Sequence, residues 1–191
     1  MVEHKLNDGD ISRGCRQNDP NAWRYLIRLY SPLVYRIAAR MLRSQQDAED
    51  ASQEVFMRVH RSINSHDPTR PLAPWLTKIT YNICLKRISR RSRTTEKEIE
   101  LFEDHRPEEE NGNTPEIQMT GKQMNMHVLG ALDRLSAQDR ALVAMRYSEG
   151  FTDSEIAEST SMPVGTVKTR LYRARGKLKK ILGPYMREVS P

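Results

Sequence analysis

Between Arg93 and Glu116 the chain reads RTTEKEIELFEDHRPEEENGNTPE, an acidic stretch poor in apolar residues that closes on Asn-Gly and Pro. Such a segment buries too little apolar surface to offset the entropy of ordering it. Its closing residues favour turns. It reads as a flexible linker, and it divides the 191 residues into two parts. At 37% hydrophobic and 6% aromatic, those parts can hold small cores but not one large one. Strand-like alternation is absent, and apolar residues recur at three or four. The predicted fold class is all-α: two small helical domains, 1–93 and 118–191, joined by an acidic linker at 94–117.

Within the first part, Leu26, Tyr30, Val34, Ile37 and Met41 mark an amphipathic pattern. Ser31-Pro32 interrupts it as a cap and first helical residue, which predicts two helices there. Ala48, Ala51, Val55 and Val59 form the inner stripe of a helix from Asp47 to Arg61. SINSHDPTRPLAP, with three prolines, is a loop. A further helix from Pro74 to Arg93 points Leu76, Ile79, Ile83 and Ile88 inward. In the second part a helix passes through Val128, Leu132 and Leu135, and Ser136 caps the next. YSEGFT is a turn, and Thr152 with Glu155 fits a capping box. That short helix runs to Ser159, a turn follows at Thr160-Ser161-Met162, and Pro163 suits the first position of the last helix. Val167, Leu171, Ala174 and Leu178 then point inward.

A short capped helix, a tight turn and a longer helix make a helix-turn-helix. From Lys168 to Lys180 there are seven Lys or Arg and no Asp or Glu. The outward face carries Lys168, Thr169, Arg170, Tyr172, Arg173 and Arg175. Cations on a helix neutralise phosphates and release counterions, and Arg can bind guanine through two hydrogen bonds. A basic run alone would read as a solvated face. Capping, turn and inward pattern together favour DNA binding.

The net charge of +6 is unevenly spread. DAEDASQEVFMRVH sets Asp47, Asp50 and Glu54 on one helix face, beside Glu49 and Gln53. That face is either solvated or docks a basic partner. Metal or acid–base chemistry lacks a supporting His, since His60 reads as a surface residue. PWLTKITYNICLKRISRRSR interleaves Trp75, Tyr81 and Asn82 with Lys78, Lys86, Arg87, Arg90 and Arg91, a single-strand binder's pattern. Trp75 reads equally well as core. Cys15 and Cys84 lack metal-ligand spacing, and no apolar run approaches membrane-spanning length. They read as free thiols in a reducing cytoplasm, with a redox-sensing pair as the alternative.

Three motifs in this order resemble the extracytoplasmic-function (ECF) branch of the bacterial sigma-70 superfamily, over nearly the whole chain. DAEDASQEVFMRVH resembles the core-polymerase-binding helix, which implies that role for Asp47, Asp50, Gln53, Glu54 and Phe56. PWLTKITYNICLKRISRR is similar to the promoter-melting helix, which implies minus-ten contacts by Trp75, Lys78, Tyr81, Asn82, Lys86, Arg87, Arg90 and Arg91. Asn82 and the 64–73 loop would hold a flipped-out base. EGFTDSEIAESTSMPVGTVKTRLYRARGKL resembles the terminal helix-turn-helix. There Lys168, Thr169 and Arg173 would face minus-thirty-five bases, Arg170 and Arg175 would meet phosphates, and Thr166 belongs to the same site.

The resemblance implies a stress-responsive initiation factor in the cytoplasm, with core RNA polymerase and promoter DNA as partners. It also implies a membrane-linked anti-sigma factor as a restraint, no cofactor, no metal, no small-molecule substrate and no enzymatic activity. Elements two helical turns apart lie ~70 Å apart, and about 23 extended residues reach ~75 Å. The linker can therefore span them. It would lie in the polymerase's nucleic-acid channel as a polyanion mimic. Ser161 stands where many such turns carry Gly, which implies either a different turn geometry or a non-glycine residue at positive φ with some strain. The rival readings are a stand-alone helix-turn-helix regulator and a metal-dependent helical enzyme using Asp47, Asp50 and Glu54.

Overall fold

The computed structural model describes residues 6–99 and 121–186, with side chains at 6–91 and 126–184. Every regular element among them is helical. Four helices form the first part: α1 (Asp8–Arg16), α2 (Pro20–Leu42), α3 (Gln45–Ser62) and α4 (Leu72–Ile99). The second holds α5 (Gly121–Asp133), α6 (Ala137–Val143), α7 (Asp153–Thr160) and α8 (Val164–Met186). A π-helical turn at Ala144–Ser148 follows α6. The chain from 100 to 120, most of the predicted linker, lies outside the described residues.

The helix starts follow from side chains that accept orphan backbone N–H groups. Asp19 accepts from Asn21 N, with Pro20 in the first turn. Ser44 accepts from Asp47 N, and Ser136 from Asp139 N. At α7 the capping box closes both ways between Thr152 and Glu155. Ser161 takes the left-handed conformation at φ 56°, and the Met162 and Ser161 amides bond back to Ala157 O and Glu158 O. Of the two geometries open at Ser161, the structure takes the positive φ, in a Schellman closure on a serine. Thr152→Ala removes the cap of the helix that supports α8. It is expected to cost ~1 kcal/mol, read as a lower denaturation midpoint with an unchanged slope.

The first core packs α2, α3 and α4 together. Leu26, Val34, Ile37 and Met41 meet the small or β-branched stripe Ala48, Ala51, Val55 and Val59, and every one is essentially inaccessible. Small residues on α3 let it approach α2 closely. Each large apolar side chain so buried contributes ~1.5–3 kcal/mol. In the second domain Leu142, Met145, Ile156, Val167 and Leu171 form the corresponding core.

Several expectations are corrected. Ser31-Pro32 does not divide α2. The Ser31 hydroxyl donates to Ile27 O at 2.6 Å, Pro32 is exposed, and the buried stripe runs through the site. Continuous burial of one face outweighs the single backbone donor that proline lacks. Pro163 is not the first residue of α8 but precedes it, its carbonyl accepting from Val167 N. On α4, Leu72, Pro74, Leu76, Thr77, Thr80, Tyr81 and Cys84 are buried, while Ile79, Ile83 and Ile88 are only partly covered. That helix also runs to Ile99, six residues past the predicted boundary at Arg93.

The extra burial on α4 comes from the second domain, because α7 packs on α4 and α6 packs on α2. Arg140, 4% exposed, donates to Arg40 O at 2.6 Å and Met41 O at 3.1 Å, and to Leu135 O at 2.8 Å in its own domain. A cation of one domain thereby caps the C-terminus of a helix in the other. Around it Arg36 grips both oxygens of Glu149, Arg43 pairs with Asp133, and Arg70 pairs with Glu158. The Ser159 hydroxyl donates to Pro74 O at 3.2 Å.

Candidate nucleic-acid interface

A groove of about 530 Å³ runs between α3 and α4. It gathers Trp75, Lys78, Asn82 and Lys86, four of the residues singled out for single-stranded DNA. Lys78, Asn82 and Lys86 are exposed, whereas Trp75 is half-buried with one face tilted on the His66 ring, centroids 5.1 Å apart. This is the chemistry of a single-strand track: amines for phosphates, a ring for a base, and an amide for a base edge. Arg58 and Arg61 of α3 line the same groove and were missed in the sequence. Their spacing of four and seven from Glu54 places them on the stripe that faces α4, which was the available signal.

The remaining expected contacts lie elsewhere. Tyr81 is 1% exposed and is turned toward the second domain, where Arg170 and Asp139 act on it. Its burial excludes base stacking in this arrangement, and desolvation holds its hydroxyl pKa above the ordinary tyrosine value. Arg87 binds Glu54 at 2.7 Å and Arg91 binds Asp47 at 2.6 Å. Arg90 is exposed.

Those two pairs also revise the acidic face of α3. The Arg91 bond, helped by Ser44, holds the Asp47 carboxyl below its usual range. Asp50 and Gln53 remain exposed. Phe56 lines a second groove of about 640 Å³ with Trp23, Ile27, Gln53, Met57 and His60. Of the expected docking residues Asp47, Asp50, Gln53, Glu54 and Phe56, Asp50 and Gln53 are exposed and Phe56 lines this apolar trough, while Asp47 and Glu54 pair with arginines of α4. A metal-dependent reading needs Asp47 and Glu54 unpaired, and both are bound to arginines.

On α8, Thr166, Lys168, Thr169, Tyr172, Arg173 and Arg175 are exposed on the side away from Val167, Leu171 and Ala174. The domain contact leaves this face open. Arg170 differs: it is part-buried and donates to Asp139 at 2.8 Å. It ties α8 to the start of α6 rather than standing out toward a phosphate. Both cysteines are buried and free. Burial pushes the Cys15 thiol up to about 11 and the Cys84 thiol to about 12, away from the thiolate that redox sensing requires. Among the described residues no helix is long and apolar enough to cross a membrane.

Two family models match these same parts: Sigma-70 region 2 over residues 26–94, and Sigma-70 region 4 over 126–178. The chain is 32% identical to the ECF RNA polymerase sigma factor SigE of Mycolicibacterium smegmatis, over 88% of this chain and 65% of that longer relative. It is 27% identical to the ECF sigma factor SigW of Bacillus subtilis, over 87% of this chain and 92% of the relative. The fold resembles the sigma factor RpoE of Bartonella quintana, solved with the anti-sigma factor NepR. The TM-score is 0.67 at 23% identity, covering 84% of this chain and 96% of that one. It also resembles CnrH, solved with the cytosolic domain of CnrY, at TM-score 0.66 and 18% identity, over 93% and 97% of the two chains. The chain belongs to the sigma-70 family of transcription initiation factors, in its extracytoplasmic-function branch.

Proposed function

We propose that this protein is an alternative sigma factor that binds core RNA polymerase and directs it to particular promoters. The α8 face reads the duplex minus-thirty-five element, with Lys168, Thr169 and Arg173 toward the bases. The groove between α3 and α4 holds the separated minus-ten strand, with Asn82 and the 64–73 loop receiving a flipped-out base. The polymerase supplies all of the chemistry. The reading is carried by one observation: a groove lined by amines, an amide and an indole ring, and an exposed basic helix, stand on separate domains of one chain. A stand-alone regulator would use α8 alone and leave the groove without a role.

Core polymerase would dock on Asp50, Gln53 and the Phe56 trough. Asp50→Ala with Gln53→Ala is expected to weaken core binding about tenfold or more, measured by titration of labelled full chain, while duplex binding is unchanged. Unchanged core affinity refutes that surface. A protein anti-sigma factor is the second partner proposed, in keeping with the complex in which a relative was solved. It would hold the protein at the cytoplasmic side of the inner membrane until a stress signal releases it.

Run-off transcription on a genomic fragment library, with core polymerase and with or without this chain, tests the whole reading. New discrete starts that depend on the protein support it. Salt-sensitive duplex binding without new starts transfers the case to the stand-alone regulator.

A further inference from the structure

One face of α1, carrying Asp8, Ser12 and Arg16, lies on the 64–72 loop. Asp8 Oδ2 accepts from Leu72 N at 2.8 Å, so α1 supplies the first-turn cap of α4, while Oδ1 accepts from the Tyr30 hydroxyl. At Gly9 a Cβ would stand 2.7 Å from Pro68 O, so only glycine lets the two backbones touch. Arg16 donates to Asn64 O at 3.3 Å and to His66 O. The Ser12 hydroxyl meets His66 Nδ1 at 2.9 Å, and both residues are buried. The His66 ring in turn lies against Trp75, which lines the single-strand groove.

We propose that α1 is a clamp that fixes the 64–72 loop and Trp75 in the shape the minus-ten strand binds, with His66 as its pin. His66 is a positioning residue, since at 2% exposure it cannot reach DNA. The inference rests on the reading of the groove as the minus-ten site.

A histidine pin makes the clamp sensitive to protons. Burial lowers the His66 pKa from the ordinary 6.5, and the Arg16 charge acts in the same direction. Asp8 of α1, Asp67 of the loop and the Pro71 carbonyl oppose it, although Pro71 closes no full hydrogen bond to Nε2. From α4 the ring faces Trp75. A ring buried neutral binds its proton more weakly than the unfolded chain does. The clamp is therefore whole above pH 6.5 and is lost as the pH falls below it.

The test uses holoenzyme on the starts found in the library experiment, each as intact duplex and as a template pre-opened by mismatches. The ratio of the two transcripts cancels the polymerase's own response to pH. For the wild-type chain this ratio is expected to fall about three- to tenfold between about pH 7.5 and about pH 5.5. For His66→Phe with Ser12→Ala, which keeps the ring packing and removes the proton site, the ratio is expected to stay level relative to its own starting value. Arg16→Ala is expected to lower the ratio at both pH values while still co-eluting with core polymerase. A level wild-type ratio, a parallel fall in the double variant, or a wild-type ratio in Arg16→Ala overturns the clamp. Absence of any starts with the wild-type chain overturns the function beneath it instead.

Discussion

Arg173→Ala is expected to reduce discrimination for the upstream promoter element by roughly five- to 150-fold, the ~1–3 kcal/mol of one bidentate guanine contact. Arg173 is exposed on α8, one residue from the most exposed aromatic of the described chain, Tyr172 at 72%. Its neighbours Leu171 and Ala174 are buried, so the helix cannot rotate to substitute another cation. The measurement is competition binding of holoenzyme to promoter and to scrambled duplex at fixed salt. Lys179→Ala, further along the basic run, provides the contrast. It should weaken both duplexes alike and lower the salt slope by about one. Equal losses for the two variants would assign Arg173 to the backbone.

The other large effect belongs to Arg140. Arg140→Met keeps much of the aliphatic stem but removes three hydrogen bonds from a buried cation to backbone carbonyls. Hydrogen bonds to charged groups are worth ~1.5–3 kcal/mol each, offset here by the rehydration that Arg140 regains on unfolding. A net loss of ~2–4 kcal/mol is the expected outcome. Its signature is decoupling: a single unfolding transition in the wild-type chain becomes two. A single transition at unchanged midpoint would show that the domains do not stabilise each other.

Much of this was legible because apolar spacing records burial directly. The stripe Ala48, Ala51, Val55 and Val59 was named from sequence and is fully buried. The caps at Ser136 and Thr152 were legible for a similar reason, each being a local contact between residues three apart. The features that the sequence did not announce share a cause. Helix α1 buries only Ile11 and Cys15 as apolar side chains, and its other contacts are polar and distant in sequence, so no periodicity announces it. Tyr81 was assigned to DNA because a neighbouring domain leaves no mark on the pattern of α4 itself. Arg170 read as one more cation in a basic run, and only the fold brings Asp139 within 2.8 Å of it.

The contact between the domains is held at its edges by charge. Arg36–Glu149, Arg43–Asp133 and Arg70–Glu158 all keep at least one partner more than half exposed, where dissolved ions weaken them. A wholly apolar seam would tighten in kosmotropic salt, whereas the charged rim of this one is expected to weaken as ionic strength rises. On the proposed function the same ions would compete with phosphate-facing cations such as Arg175 and Lys179. On the proposed function, rising salt is expected to free the two halves to spread along a promoter while dulling their grip on it. The protein's response to its ionic surroundings is the difference between these two opposed effects.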